Sequence, residues 1–218
     1  MPKIPRSAEE VGTIREKILD AALDILYQES FRDLSMRKIA ARTGMTAANI
    51  YNYFSGKDEI YLAIQTRGFA HLGGQLDRIE ETRLTPVEKI RRMIRAYIDF
   101  GMENPDQYDI MFTRNTPKFA DYLGTPMEPA ARIEKETAMK VAARAERAIA
   151  AAVNDGNAGF RTIQLWTALH GMVSLVNSRV LQEVDPDISG IVASLMDELM
   201  IPFIPINKDV RHETEPAV

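Results

Sequence analysis

The 218-residue chain carries 27 Lys and Arg against 31 Asp and Glu, which gives a formal net charge of −4, and it contains no cysteine. The missing cysteine excludes disulfide bonds and Cys-ligated zinc sites. The negative charge excludes a protein that binds nucleic acid through a large basic excess alone. Residues 1–70 hold 10 Lys and Arg against 9 Asp and Glu, so any binding to nucleic acid must rely on a few well-placed cations.

Helix signals recur along the whole chain. Capping residues are followed three positions later by an acidic or amide residue at Thr13/Glu16, Ser55/Asp58, Thr85/Glu88, Asn104/Gln107 and Thr125/Glu128, and Asp185-Pro186 repeats the combination of a cap and a proline. Apolar residues follow the helical spacing, and no run alternates with the period of a strand. We therefore predict an all-α protein of about nine helices, with loose tails at residues 1–12 and 203–218.

The sharpest motif lies between Ser35 and Phe54. Ser35 predicts the start of a short helix that ends near Thr43, and Gly44 follows where a left-handed residue is favoured. Thr46 predicts the cap of a second short helix. A helix, a glycine turn and a helix form the helix-turn-helix plan, in which the second helix enters the major groove of DNA.

This part of the chain resembles the TetR (tetracycline-repressor) family of transcriptional regulators. The resemblance covers about Thr13 to Ile60 and is carried by Ile18-Leu19-Asp20-Ala21-Ala22, Phe31, Ser35-Met36-Arg37-Lys38-Ile39-Ala40, Gly44-Met45-Thr46, Ile50-Tyr51-Asn52-Tyr53-Phe54 and Lys57-Asp58-Glu59. It implies a DNA-binding domain at residues 13–56 and a ligand-binding and dimerisation domain at residues 57–202.

Side-chain chemistry selects the candidate DNA contacts. Helix caps bring backbone N–H groups to phosphate, arginine reads guanine or phosphate, small methyl groups meet thymine, and an asparagine amide pairs with adenine. We expect contacts from Ser35, Arg37, Thr46, Ala47, Ala48, Asn49, Tyr51, Tyr53 and Lys57. The alternatives are that Tyr51 is a core aromatic, like Phe54, and that Arg37 is a solvated charge.

The segment from about Ala158 to Glu183 carries apolar residues on two faces, and a second stripe lies on the predicted helix Asp187–Ile201. A helix that is apolar on both faces needs partners on both sides. We predict a four-helix interface between two copies of the chain, formed by Leu165, Leu169, Met172, Val176, Val180, Ile188, Ile191 and Leu195. The alternative is that both faces pack within one subunit.

Trp166-Thr167-Ala168-Leu169-His170-Gly171 and Asn104–Phe112 resemble the Trp-His-Gly type of C-terminal regulatory domain in the same family. That resemblance implies a ligand pocket. Because such pockets are mostly apolar with a few polar groups, the candidates are Met93, Tyr97, Phe100, Tyr108, Met111, Phe112, Trp166 and His170. Each methionine or phenylalanine of this set has an alternative role as a core residue.

We therefore expect a ligand-responsive regulator that binds a palindromic operator as a dimer and is released by a small hydrophobic effector, with the segment from Ser55 to about Glu81 as the lever between the domains. A ligand-dependent activator, or a DNA-binding or adaptor protein without an effector, stays open. No glycine-rich phosphate loop, nucleophile elbow or metal-binding helix motif occurs, so we expect no enzymatic activity, metal or cofactor. No apolar run reaches the roughly 20 residues of a membrane span. Residues 1–11 lack a signal-peptide core, which favours a cytoplasmic protein without a membrane partner.

Overall fold

A computed structural model describes residues 7–204, and this part of the chain is all-α, as predicted, without a strand. The ten α-helices of this range are α1 (Ala8–Gln28), α2 (Met36–Thr43), α3 (Ala47–Ile50), α4 (Lys57–Glu80), α5 (Pro86–Glu103), α6 (Pro105–Tyr108), α7 (Glu128–Val153), α8 (Ala158–Asn177), α9 (Val180–Val184) and α10 (Ile188–Met200). A π-helical turn covers Asp109–Thr113, and 3₁₀ turns cover Phe119–Tyr122 and Ile201–Phe203.

The chain forms two compact units. Among the described residues, the first comprises residues 7–77 together with Asp99–Ala142, and the second comprises Arg78–Ile98 together with residues 143–204. The predicted domain boundary between residues 56 and 57 lies inside the first unit. Helices α4, α5 and α7 each have residues in both units.

Helix α1 begins six residues earlier than predicted. Ser7 caps it, because the Ser7 hydroxyl accepts a bond of 3.2 Å from the Glu10 amide while the Glu10 carboxylate accepts one of 2.7 Å from the Ser7 amide. Thr13 lies inside the helix and donates its hydroxyl to the Glu9 carbonyl at 3.0 Å. The predicted tail is therefore wrong for residues 7–12, and residues 1–6 lie outside the described range.

Several other caps differ from their predictions. Thr85 and Glu88 form the predicted reciprocal bonds, but Ser55 binds Glu59 at 2.7 and 2.8 Å rather than Asp58. The side chain of Asn104 donates to the Phe100 carbonyl at 3.0 Å and does not cap α6.

Three boundaries in the C-terminal half of the described chain also differ from the predicted positions. Helix α7 begins at Glu128, three residues after Thr125, and α10 is capped by Asp187 rather than Asp185, since the Asp187 carboxylate accepts from the Gly190 amide at 2.9 Å. The predicted helix over residues 158–183 is interrupted at Arg179, which adopts a left-handed conformation with φ 61°.

At the C-terminal end, the predicted tail over residues 203–218 fails at its first residue, because Phe203 is buried. Residues 205–218 lie outside the described range. Within the described residues, no helix is both long and apolar enough to cross a membrane.

The first unit is held by one large apolar core. Its fully buried members come from α1, α2, α3, α4 and the segments between them, and they include Ile18, Leu26, Ile39, Ile50 and Phe54. Ile110 of the π-helical turn belongs to the same core, although it lies far along the chain. Burial of such side chains contributes about 1.5–3 kcal/mol each, so this core fixes the helix-turn-helix to the body of its unit.

Candidate functional site

The segment from α2 to α3 has the predicted helix-turn-helix geometry. The Ser35 hydroxyl accepts a bond of 3.3 Å from the Lys38 amide, and the Thr46 hydroxyl accepts one of 3.2 Å from the Asn49 amide. Gly44 has φ 71°, which glycine adopts without steric cost. The Met45 amide then bonds the Ala40 carbonyl at 3.0 Å and closes the turn.

One face of this motif stays open to a partner. Arg37 and Ala48 are exposed, while Ala47 and Asn49 are half-buried. Tyr51 is 56% exposed, which contradicts the alternative that it is a core aromatic. Phe54 is fully buried, as expected. Arg37, a polar amide and a tyrosine hydroxyl are therefore available to DNA on the same motif.

Two of the predicted DNA contacts are placed differently. Tyr53 is only 8% exposed and its side chain belongs to the first unit's core, and a contact between its hydroxyl and phosphate stays a prediction. The Lys57 ammonium donates to the carbonyls of Phe31 and Arg32 at 3.2 and 3.3 Å and lies 4.8 Å from the centre of the Phe31 ring. The ammonium group of Lys57 is thus bonded within the protein, and a contact between Lys57 and phosphate stays a prediction.

Arg15 of α1 anchors the end of the recognition segment, which we define as α3 and the residues after it up to Phe54 (residues 47–54), and sequence reasoning missed this arginine. Its guanidinium lies 4.0 Å from the centre of the Phe54 ring and donates to the Tyr53 carbonyl. Glu59 lies 3.7 Å from the same guanidinium. Arg15 therefore holds the chain at Tyr53 and Phe54, where it turns from α3 into the core.

The π-helical turn joins α4 through its backbone. A π turn leaves carbonyls outside the usual helical pattern, and the Ile110 carbonyl accepts from the Tyr61 hydroxyl at 3.0 Å and from the Gln65 amide at 3.1 Å. In the reverse direction, the Gln107 side chain donates to the Ile64 carbonyl at 3.1 Å. Burial raises the pKa of Tyr61, so its hydroxyl stays protonated and can donate.

Arg114 follows the turn and caps the C-terminus of α1. Its guanidinium donates to the carbonyls of Leu26 at 2.7 Å and Glu29 at 3.2 Å, and it pairs with Asp109 at 2.6 Å. The last turn of α1 has no basic residue of its own, and a cation at this end satisfies orphan carbonyls and the helix dipole. No local sequence signal predicted this contact, because its partners are more than 80 residues apart.

Four of the predicted ligand residues lie in the first unit and are densely packed. Phe100, Tyr108 and Met111 are buried, and the Tyr108 and Phe112 rings lie 4.8 Å apart. Helix α4 approaches them at Gly68, where a Cβ atom would overlap Met111 and Gln107. In this conformation these side chains form a core.

The other four ligand candidates lie in the second unit. The Trp166 indole donates to the Tyr97 hydroxyl at 3.1 Å, and the ring centres of Trp166 and His170 are 6.3 Å apart. Met93 and Tyr97 are buried, whereas Trp166 is exposed. Burial lowers the pKa of His170, so its imidazole is neutral at pH 7 and offers both a donor and an acceptor.

The first unit also has an open cleft of about 1150 Å³ beside Arg114 and Asp109. Its wall includes Tyr27, Phe31 and Thr116, and none of the eight predicted ligand residues lines it.

The predicted dimer residues separate into two groups. Leu165, Leu169 and Met172 are buried within the chain itself, so the prediction that they face a partner is corrected. Val176, Ile188 and Ile191 are half-buried, and Val180 and Leu195 are exposed. The outward face of α8 instead presents Phe160, which is 64% exposed, with Ile163 and Leu175. Sequence spacing marked two apolar faces on this helix but not which of them points inward.

Comparison with known proteins agrees with the helix-turn-helix geometry. The family described as "Bacterial regulatory proteins, tetR family" matches residues 18–64, and the one described as "Tetracyclin repressor-like, C-terminal domain" matches residues 90–199. The finer resemblance to a Trp-His-Gly type stays a prediction.

Curated relatives are transcriptional regulators. The chain is similar to the uncharacterized HTH-type transcriptional regulator Rv0681 of Mycobacterium tuberculosis, with 26% identity over 191 residues that span 84% of this chain and 82% of that protein. It is also similar to the HTH-type transcriptional activator FasR of Mycolicibacterium smegmatis, with 26% identity over 56% of this chain and 53% of that protein. The chain thus spans about half the length of FasR.

Solved structures share the fold at low identity. A regulatory protein, SCO4313, has a TM-score of 0.71 at 20% identity and covers 90% of this chain and 98% of its own. The regulator FadR of Bacillus subtilis, solved in complex with stearoyl-CoA, has a TM-score of 0.65 at 14% identity over 86% and 98% of the two chains. AibR, solved with isovaleryl coenzyme A and operator DNA, has a TM-score of 0.63 at 20% identity over 87% and 99%. The helix-turn-helix, the all-α fold and both family matches lead to one conclusion: the chain belongs to the TetR family of bacterial regulatory proteins and is a DNA-binding transcriptional regulator.

Proposed function

We propose that this protein is a cytoplasmic repressor that binds a palindromic operator as a homodimer and is released by a small hydrophobic effector. The observation that supports this most directly is the motif from α2 to α3, which leaves Arg37, Asn49 and Tyr51 accessible on one face. Two copies of the motif would read two half-sites about 34–36 Å apart.

The exposed apolar face of α8 supports the dimer. Phe160, Ile163 and Leu175 stand on the outside of a helix whose other face is already buried in its own unit. Exposed apolar patches mark interaction surfaces. Residues 1–70, which contain the helix-turn-helix, have a net charge of only +1, from 10 Lys and Arg against 9 Asp and Glu. Such a weakly basic domain also needs a second half-site for affinity.

The effector that we propose is an acyl group presented as its coenzyme A thioester, and the acyl chain is its hydrophobic part. Two structural neighbours were solved with such compounds, stearoyl-CoA for FadR and isovaleryl coenzyme A for AibR. Within the second unit, the apolar surfaces of Met93, Tyr97 and Trp166 suit an acyl chain. The neutral imidazole of His170 has both a donor and an acceptor nitrogen for the polar end of such a compound.

Release is proposed to proceed through α4, which has residues in both units. In the first unit, α4 is bonded to the π-helical turn at Ile110, and Arg114 bonds the same turn to the end of α1. A rearrangement of residues 105–114 would therefore act on both helices that carry the DNA-binding motif. The effector needs only to bind one arrangement better than the other.

A binding titration tests this function. The parent protein, Arg37→Ala and Tyr51→Phe are titrated against the DNA upstream of the protein's own gene and against genome-selected fragments, with competitor DNA present. We expect selective binding at two chains per site, weaker binding by both variants, and release by acyl-CoA of one chain-length class. Arg83→Ala, an exposed arginine outside the motif, is the matched control and should bind like the parent.

A regulator without an effector is the second candidate, and the dense packing of Phe100, Tyr108 and Met111 favours it. Thermal unfolding separates the two, because a ligand of the native state raises Tm. No shift and no release across an acyl-CoA series from short to long chains would reject the effector and leave the DNA-binding function standing. Enhanced operator binding on ligand addition would instead indicate an activator or a corepressor-dependent protein.

A further inference from the structure

The recognition segment ends in a tightened turn. Beyond α3, the Asn52 amide bonds the Asn49 carbonyl at 3.2 Å and the Tyr53 amide bonds the Ile50 carbonyl at 2.9 Å, both three residues back. Bonds of this spacing bring the side chains at positions i and i+3 into line. Asn49 and Asn52 are therefore placed one above the other on the open side of the motif.

The two side chains are bonded to each other. The Asn52 amide nitrogen donates to the side-chain oxygen of Asn49 at 3.3 Å. The backbone of Asn49 is held in turn by the Thr46 hydroxyl at 3.2 Å. Asn52 is exposed and Asn49 half-buried, so the pair combines a fixed geometry with access to a partner.

The residues around the pair leave base recognition to the Asn49 side chain, so the orientation of its amide group decides which base it can bind. Residues 45–56 contain no charged side chain, and the neighbours Ala47 and Ala48 cannot hydrogen-bond a base. An asparagine amide carries a donor and an acceptor, and a half-turn of the amide group exchanges them. With its oxygen turned toward Asn52, Asn49 keeps both N–H groups and one oxygen lone pair free. That pattern matches adenine, which offers N7 as an acceptor and N6 as a donor in the major groove.

We propose that Asn52 is a specificity-positioning residue: it holds the Asn49 amide in the one orientation that reads the adenine of an A·T base pair. The proposal rests on the proposed entry of α3 into the major groove. It assigns Asn52 an effect on which base pair is preferred, not on overall affinity.

The test measures relative binding to half-sites that carry each of the four base pairs at every position, for the parent, Asn49→Ala, Asn52→Ala and the double variant. A bidentate amide contact discriminates on the order of 5- to 150-fold, which corresponds to about 1–3 kcal/mol. Asn49→Ala should abolish an A·T preference of this size at one position. Asn52→Ala should reduce the preference at that same position at least several-fold, and should add nothing in the background of Asn49→Ala.

Asn52→Asp gives the sharpest readout. Its carboxylate only accepts, so it would bond the Asn49 nitrogen and turn the Asn49 oxygen toward the base. The preference at the same position should shift from adenine toward cytosine, whose N4 donates. The added charge lowers affinity for all sequences alike, and the ratios between base pairs cancel this effect. Asn115→Ala, an exposed asparagine outside the motif, is the control and should keep the parent profile.

Four outcomes would overturn the inference. They are an unchanged profile in Asn52→Ala, a loss of preference at a different base pair from that of Asn49→Ala, a uniform loss of affinity for all half-sites with the ratios between base pairs kept, and a parent preference that Asn49→Ala leaves intact. The third would make Asn52 a phosphate contact, which adds affinity without selecting a base pair. A parent protein that prefers no sequence at all would overturn the proposed function as well, so the two failures are distinguishable.

Discussion

Arg114 donates a hydrogen bond of 2.7 Å to the carbonyl of Leu26 in the last turn of α1. The same guanidinium pairs with Asp109 at the start of the π-helical turn. The Arg114 side chain thus links α1, which packs beside the helix-turn-helix, to the π-helical turn that is also hydrogen-bonded to α4.

Removing this arginine should destabilise the first unit. Arg114→Ala leaves the carbonyls of Leu26 and Glu29 and the Asp109 carboxylate without this partner. Lost hydrogen bonds of a partly buried charged group cost about 1–3 kcal/mol. Urea denaturation measures the change. Arg114→Lys should recover only part of it, since an ammonium cannot reproduce the fork of bonds. An unchanged midpoint in Arg114→Ala would show that the cap does not contribute.

Gly68 should not tolerate a methyl group. In Gly68→Ala the added Cβ overlaps Met111 and Gln107, and overpacking of this kind costs about 1–3 kcal/mol. Gly74→Ala on the same helix meets no atom within 4 Å and should gain up to about 1 kcal/mol from helix propensity. Opposite signs in thermal unfolding are expected, and equal signs would contradict the packing seen at Gly68.

Lys57 should act on stability rather than on DNA. Its ammonium is bonded to the carbonyls of Phe31 and Arg32, so Lys57→Met should lower the free energy of unfolding by about 1 kcal/mol. The slope of log affinity against log salt should stay the same, because no phosphate contact is lost. If the slope for Lys57→Met is smaller in magnitude than that of the parent by about one, Lys57 contacts a phosphate.

The outward face of α8 should control assembly. Ile163 is exposed on that face, so Ile163→Asp should give folded monomers in sedimentation velocity if the proposed dimer uses this surface. Gln164→Asp places the same charge on the neighbouring exposed residue and tests whether charge alone is enough. A dimer that survives both variants would move the interface elsewhere.

Local signals predicted the parts of the motif that local physics controls. Ser35, Gly44 and Thr46 act on backbone groups within a few residues, so their roles could be read from the sequence. Thr13 failed because two equivalent capping pairs compete, and the earlier pair at Ser7 and Glu10 forms. Periodicity could not decide which apolar face of α8 points inward, and Leu165 was therefore misplaced.

The candidate site was harder to predict where the partners are distant. The contacts of Arg114 with α1 and of Tyr61 with Ile110 join segments 49 to 88 residues apart. These contacts form only in the folded chain, and the residue types arginine and tyrosine do not by themselves predict which distant carbonyl they bind. The predicted ligand residues were chosen by size and polarity, which do not distinguish a filled core from a site.

The placement of Ile110 in the core of the first unit has a consequence for the order of folding. During synthesis, α1 to α3 emerge long before residues 109–114, which supply a side chain to that core and the cap to α1. A DNA-binding half cut after α4 would lack both, and so would a chimera that grafts residues 7–64 onto another body. In this protein the DNA-binding part of the chain therefore needs residues 109–114, which follow it in the sequence, to complete its core and the end of α1.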